Sequence, residues 1–202
     1  MKKMKIVYLA DHPKYRKTIG TWLKEEWGER YPERNLTNWS EEQTYLGKAV
    51  LPLTLVGIDE KTGEALGTVC LRQDGMTTHK EWNAWLSYLV VPKTQRGKGY
   101  GKALLQGALK VAEELKLPEL HLFTRLPDPR LYQSVGFTVC GKETYRSGEV
   151  TVMGKTIAHQ ARPLSTRAWQ FFKAHPILTT AATVAAAVVA AYVADQMRVG
   201  RP

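Results

Sequence analysis

This 202-residue chain predicts an α/β fold, a mixed central sheet of about six to seven strands flanked by helices, and three observations carry the prediction. Strand-like apolar runs and helical periodicity succeed one another in the order β-α-α-β-β-β-α-β-α-β-β up to residue 158. A glycine-rich turn over residues 95–102 joins the apolar run Trp85 to Val91 to the helical pattern Ala103 to Leu115. A hydrophobic share of 44% with 24% charged residues suffices for one sizeable core.

The elements follow in chain order. Ile6 to Ala10 is a short apolar run, and Asp11, His12 and Pro13 then open a helix on which Tyr15, Ile19, Trp22, Leu23 and Trp27 recur at helical spacing. Residues 31–35 read as a loop, and Ser40 with Gln43 as a capping box that opens a second, short helix. Leu51 to Ile58 and Ala65 to Arg72 flank a turn ending at Gly63, the pattern of an antiparallel hairpin. After the central strand and helix come Glu119 to Thr124 as a strand, a break at Pro127 and Pro129, a short helix bearing Tyr132, and two last strands at Phe137 to Cys140 and Glu149 to Ile157. Cys70 and Cys140 both fall inside strand-like runs, so they are expected to be buried, reduced thiols rather than a disulfide or a nucleophile.

The turn carries the chemistry. Gly97, Gly99 and Gly101 let the backbone bend tightly and approach a ligand, and the first amides of the following helix have no internal partner. Such a nest binds phosphate. Neither the nucleoside-triphosphate loop nor the dinucleotide fingerprint has this spacing. Arg96, Gly99 and Gly101 instead fit Arg/Gln-x-x-Gly-x-Gly/Ala, which resembles the pyrophosphate signature of the GNAT family of N-acetyltransferases. Val90, Val91 and Pro92 resemble the end of that family's fourth strand, and Leu131, Tyr132, Gly136 and Phe137 its tyrosine-bearing helix running into the next strand. The resemblance covers about Ile6 to Ile157.

The resemblance implies the GNAT fold and a direct transfer of an acetyl group from acetyl-CoA to a primary amine in a ternary complex, with no metal. Cofactor contacts are then expected from Leu89, Val90 and Val91, whose open edge pairs with the pantetheine arm, and from Arg96, Gly97, Lys98, Gly99, Tyr100, Gly101 and Lys102 at the pyrophosphate. Tyr132 is the expected general acid. Ala84 to Val91 contains no acidic residue; Asp74, His79, Glu81 and His121 lie on nearby segments, and none is assigned as a base. Trp39, Trp82, Trp85 and Tyr88 are either core or the lining of an acceptor pocket. A small amine is favoured as acceptor over a protein amine. The alternative is a catalytically weak acetyl-CoA-binding sensor or adaptor held at a membrane.

Net charge is +10, and the excess is spread along the chain: 24 Lys and Arg against 18 Asp and Glu up to Ala158, and 5 against 1 beyond it. No helix-turn-helix, zinc-ligand or RNA-binding aromatic signature accompanies it, so a polyanionic cofactor and an anionic membrane surface explain it better than nucleic acid does. The domain organisation expected is an acetyltransferase domain over 1–158, a basic and aromatic linker over 159–173, a transmembrane or amphipathic helix over 174–194 and a short tail over 195–202. Ala174 to Ala194 holds no formally charged side chain with His175 neutral, and its 21 residues span about 31 Å as a helix at about 1.5 Å per residue. That length crosses a hydrocarbon core, and Trp169, Phe171, Phe172, Lys173 and Tyr192 suit its interfaces. The stretch after Met1 is too short for a signal-peptide core, so the catalytic domain is expected in the cytosol, tail-anchored to the inner membrane.

Overall fold

The computed structural model describes residues 3–41, 47–146 and 148–157, all within the unit Met1–His159. The Ala-rich run 174–194 and its flanks lie outside the described residues. Seven strands form one sheet: β1 (Met4–Tyr8), β2 (Leu53–Asp59), β3 (Ala65–Arg72), β4 (Trp85–Val90), β5 (Glu119–Thr124), β6 (Thr138–Tyr145) and β7 (Gly148–Thr156). Their order is β1-β2-β3-β4-β5-β7-β6, and every neighbour is antiparallel except β4 and β5. Helices α1 (Arg16–Trp27), α2 (Leu36–Glu41), α3 (Tyr100–Glu114) and α4 (Arg130–Gln133) complete the predicted order. Among the described residues no helix is long and apolar enough to cross a membrane.

Two packed layers share the sheet. On one face α3 buries Leu104, Leu105, Ala108, Val111 and Ala112, residues three or four apart, against Leu55, Val69, Leu71, Leu86, Leu120 and Leu122. A fully buried leucine such as Leu104 contributes roughly 1.5–3 kcal/mol. On the other face Tyr15, Ile19 and Leu23 of the α1 segment pack with Trp39 against Val56 and Val90. A third cluster, Met76, Trp85, Tyr145, Val150 and Val152, fills the corner beneath β4, β6 and β7.

Two expectations are corrected. The second helix opens at Asn35, not at Ser40: the Asn35 amide donates to Asn38 Oδ1 at 3.0 Å while the Asn38 amide donates to Asn35 Oδ1 at 2.9 Å, a reciprocal box built from two amides. Ser40 instead sits where α2 crosses α1, against Gly20. Cys70 is buried, as expected, but Cys140 is exposed. It lies at a register shift in β6, an edge strand whose first five residues are all exposed.

Gly67 fixes how closely α3 approaches the sheet, since a Cβ there would stand 2.8 Å from both Leu104 Cδ1 and the Val90 carbonyl oxygen. Gly67→Val should therefore destabilise the fold by about 1–3 kcal/mol through overpacking. Urea unfolding of variant and parent checks this, and an unchanged midpoint would contradict the packing described.

Candidate active site

Strand β4 carries one residue too many. Thr68 of β3 faces Val90 and Cys70 faces Ser87, so two steps on β3 correspond to three on β4. Leu86 and Leu89, three apart, consequently join the same core layer, while Tyr88 and Val90 turn to the other. Tyr88 absorbs the bulge at φ 53°, a conformation that costs a non-glycine residue about 1–2 kcal/mol. Its side chain is well held. The Arg72 Nη1 donates to the Tyr88 hydroxyl at 3.1 Å, and Trp27 and Trp39 lie with ring centroids at 5.7 and 6.4 Å.

A bulged strand bends, and β4 leaves β5. Their pairing is confined to Trp85 and His121, where the His121 amide donates to the Ala84 carbonyl at 2.9 Å. That junction is closed by a stack: Trp82 lies flat between His121, at 3.9 Å, and His79, at 4.0 Å, and His79 Nε2 pairs with Glu143 Oε1 at 2.7 Å. The bond to Glu143 raises the His79 pKa above its usual value, whereas burial lowers that of His121. Beyond the junction the strands enclose a cavity of about 290 Å³ between Leu86–Leu89 on β4 and Leu122–Thr124 on β5. Glu26 and Trp27 of α1, with Arg30, Tyr31, Arg125, Leu126 and Tyr132, complete its lining.

At the outer end of β4 the chain makes a 3₁₀ turn over Lys93–Gln95 and enters the glycine loop. Gly97 and Gly99 adopt φ 76° and 77°, which only glycine tolerates cheaply, and a Cβ built on either meets nothing within 4 Å. The loop is therefore open on its ligand side as well as conformationally glycine-dependent. Gly99 caps α3, with no side-chain cap on that helix end, so the first-turn amides of a 15-residue helix face outward. Gly101 lies 3.5 Å, measured from an added Cβ, from Leu131 of α4, which brings the Tyr132 helix up to the loop.

The remaining expected cofactor contacts divide into two groups. Tyr100 and Val90 are buried and can offer a ligand only backbone, while Leu89 and Val91 pack onto the α3 core and Leu89 also lines the cavity. Arg96 and Lys98 are engaged within the protein. Arg96 Nε donates to the Val91 carbonyl at 2.9 Å and its Nη2 to Glu26 Oε2 at 2.7 Å; Lys98 Nζ donates to the Thr94 carbonyl at 3.1 Å and to Gln95 Oε1 at 3.0 Å. Both side chains brace the loop. Lys102 is exposed on the first turn of α3.

Tyr132 stands in the wall of the cavity opposite β4, 8% exposed. Its short helix follows Pro129, and the chain then turns at Gly136, φ 92°, to return a hydrogen bond from the Phe137 amide to the Tyr132 carbonyl at 3.2 Å. Burial raises the phenol's pKa above 10, with a hydrogen bond from Thr124 opposing the shift in part. Thr124 Oγ1 also accepts the Leu126 amide at 3.1 Å, so the hydroxyl beside the phenol is tied to the start of the loop after β5.

Of the four residues considered as bases, none lines this cavity. Asp74 and His79 border a separate recess beyond Arg72, and His79 and His121 flank the Trp82 stack. Trp39 and Trp85 are core, Trp82 is the stack's centre, and Tyr88 alone of the four aromatics reaches the cavity. Glu26, Trp27, Tyr31, Thr124 and Arg125 join the cavity through tertiary packing, and no motif in the sequence places them there. Among the described residues no group of acidic, histidine and cysteine side chains could hold a metal ion.

The cavity between β4 and β5 thus has the open glycine loop at the outer end of β4 and the buried Tyr132 phenol in its wall. The chain belongs to the acetyltransferase (GNAT) family, whose model matches residues 7–137, and it is an N-acetyltransferase of that family. No curated protein matches the chain. Among solved structures, an aminoglycoside 6'-acetyltransferase type Ii is similar with a TM-score of 0.60 at 18% identity, over 76% of this chain and 97% of that one. An aminoglycoside 6'-N-acetyltransferase complexed with coenzyme A gives 0.59 at 15%, over 76% and 97%. A chimeric spermidine N-acetyltransferase from Vibrio cholerae gives 0.59 at 20%, over 76% and 95%. At these identities the likeness is one of fold.

The burial of Tyr132 has a measurable consequence. A phenol that keeps its proton in the folded state beyond the unfolded value of about 10 contributes full stability below that pH, and the contribution is lost as pH rises above it. Alkaline ultraviolet titration of the parent minus Tyr132→Phe should show one tyrosine ionising above the ordinary range; a difference spectrum centred at or below pH 10 would contradict the site described.

Proposed function

We propose that this protein transfers the acetyl group of acetyl-CoA directly to a small primary amine within a ternary complex. The observation that carries the proposal is the parting of β4 from β5 beside the Gly97–Gly99 cradle, with Tyr132 on the facing wall. The open space at both glycines and the outward first-turn amides fit a pyrophosphate, and the backbone of Leu89 to Val91 fits an extended arm laid alongside it. When bound, acetyl-CoA supplies an acyl carbon attached to a thiolate leaving group.

The chain's own residues would act as follows. Gly97, Gly99, Gly101 and Lys102 hold the pyrophosphate, Arg96 and Lys98 keep the loop in shape, and Tyr100 anchors it to the core. The β4 edge orients the thioester so that the amine nitrogen reaches its carbonyl carbon from the α1 side, past Trp27, Tyr31 and Tyr88. As the carbon–nitrogen bond forms and the carbon–sulfur bond breaks, Tyr132 Oη gives its proton to the sulfur and regains one from solvent. The amine's surplus proton leaves to water at the mouth. Membership of the family and the coenzyme A-bound relative support the cosubstrate; the aminoglycoside and spermidine enzymes support a small amine acceptor.

Two substitutions separate binding from turnover. Gly99→Val should abolish acetyl-CoA binding measured by calorimetry, because it forces φ 77° on a β-branched residue and fills the cradle. Tyr132→Phe should keep that affinity and lower kcat on the order of 100-fold. Retained binding in the first or unaltered turnover in the second would overturn the assignment, and a parent that binds acetyl-CoA yet acetylates no amine would favour the sensor alternative.

We also propose the domain boundaries given above, with residues 174–194 as a membrane tail anchor and the catalytic domain cytosolic. Fractionation should place the full chain in membranes, resistant to alkaline carbonate, and a 1–158 truncation in the supernatant. Recovery of the full chain in the supernatant would rule the anchor out.

A further inference from the structure

The charge around the acceptor end of the cavity is one-sided. Three side chains that carry formal charge line it: Glu26, Arg30 and Arg125. Glu26, the carboxylate, is tied to Arg96 at 2.7 Å. Arg30 has no ion-pair partner among the described residues. Arg125, just past the end of β5, uses Nη2 to donate to the Tyr145 carbonyl at 3.1 Å, but its Nε is buried with no hydrogen-bond partner.

Arg125 is built into place. It lies against Gly148, where an added Cβ would sit 3.6–3.8 Å from Nε, Cζ and Nη2, so the hairpin backbone forms a flat bed for the guanidinium. With Nε buried and Nη2 on the Tyr145 carbonyl, Nη1 is the edge of Arg125 left for a ligand oxygen, and a guanidinium N–H makes a charge-assisted hydrogen bond with a carboxylate. A polycation entering the same mouth meets Arg30 and Arg125 with the one lining carboxylate already neutralised.

We propose that the acceptor is a primary amine that also carries a carboxylate, an amino acid, and that Arg125 receives that carboxylate while the amine points toward the β4 bulge. The proposal rests on the acetyl-transfer reading and narrows its substrate class.

The test uses the full-length protein with saturating acetyl-CoA and matched pairs of acceptors, each standard amino acid beside its decarboxylated amine, with spermidine as the polycation. The carboxylate-bearing member should be preferred at least about tenfold in kcat/KM, with the difference mainly in KM. Arg125→Met should raise KM for the amino acid more than for the amine, and Arg125→Lys should restore part of the loss. A parent that prefers the decarboxylated amines or spermidine would overturn the proposal while leaving acetyl transfer intact, and this outcome needs no variant to fold. Calorimetric binding of amino acids that is lost in Arg125→Met, in a protein that acetylates no amine, would sustain the proposal while the transfer reading fails. Equal binding of amino acid and decarboxylated amine to the parent would overturn it.

Discussion

The bulge at Tyr88 is the constraint on which the site depends. An unbulged β4 would stay in register with β3 and run on beside β5, and the sheet would have no opening at its centre. One extra residue between Val90 and Ser87 bends the strand, and the pair β4–β5 is reduced to Trp85 and His121. The left-handed conformation at Tyr88 is unfavourable on its own. It persists because Arg72 holds the hydroxyl and Trp27 and Trp39 hold the ring, so the strain is fixed by aromatic packing from α1 and α2. These helices are thus part of the catalytic geometry, although neither contributes a residue to the glycine loop.

Opening a sheet leaves backbone groups without their ladder partners, and the structure answers this with side chains. Arg96 caps the Val91 carbonyl and reaches Glu26 on α1 with the same guanidinium. Both partners of that ion pair are substantially exposed, so it is worth at most about 1 kcal/mol. Its value is positional. It ties the outer end of β4 and the loop to the helix whose last turn, Glu26 and Trp27, lines the cavity. At the inner end the imidazole–indole–imidazole stack closes the split where the strands still touch. The cavity is therefore bounded by two fastenings of different kinds, one polar and exposed, the other aromatic and largely buried.

Much of this was legible in the chain, because each legible feature is local. Gly97 and Gly99 take the positive φ their spacing implied, Gly136 explains why a Gly-Phe pair follows the tyrosine helix, and the Tyr15, Ile19, Leu23 spacing of α1 is its buried stripe. What escaped is what only tertiary structure supplies. A bulge inside Trp85 to Val91 leaves no mark in an unbroken apolar run. The motif shows the charge of Arg96 but cannot show that Glu26, seventy positions earlier, is its ion-pair partner. Cys140 has strand-like neighbours, yet it sits at an irregularity of an edge strand, where strand character does not imply burial.

The site's acid and base sides are unequally provided, and the chemistry explains why that suffices. In the proposed transfer a departing thiolate needs a donor at hand, and Tyr132 is buried in the cavity wall with a phenol whose pKa burial raises. An attacking amine faces the opposite problem: it must arrive without its proton, which in the proposed reaction leaves to water at the mouth of the cavity. Asp74, His79, Glu81 and His121 are absent from the cavity wall, and Glu26 is there but held by Arg96. In the proposed reaction no base is then needed on the cavity wall, and if the acceptor is the amino acid proposed above, Arg125 holds its carboxylate while its nitrogen loses its proton to water before it attacks.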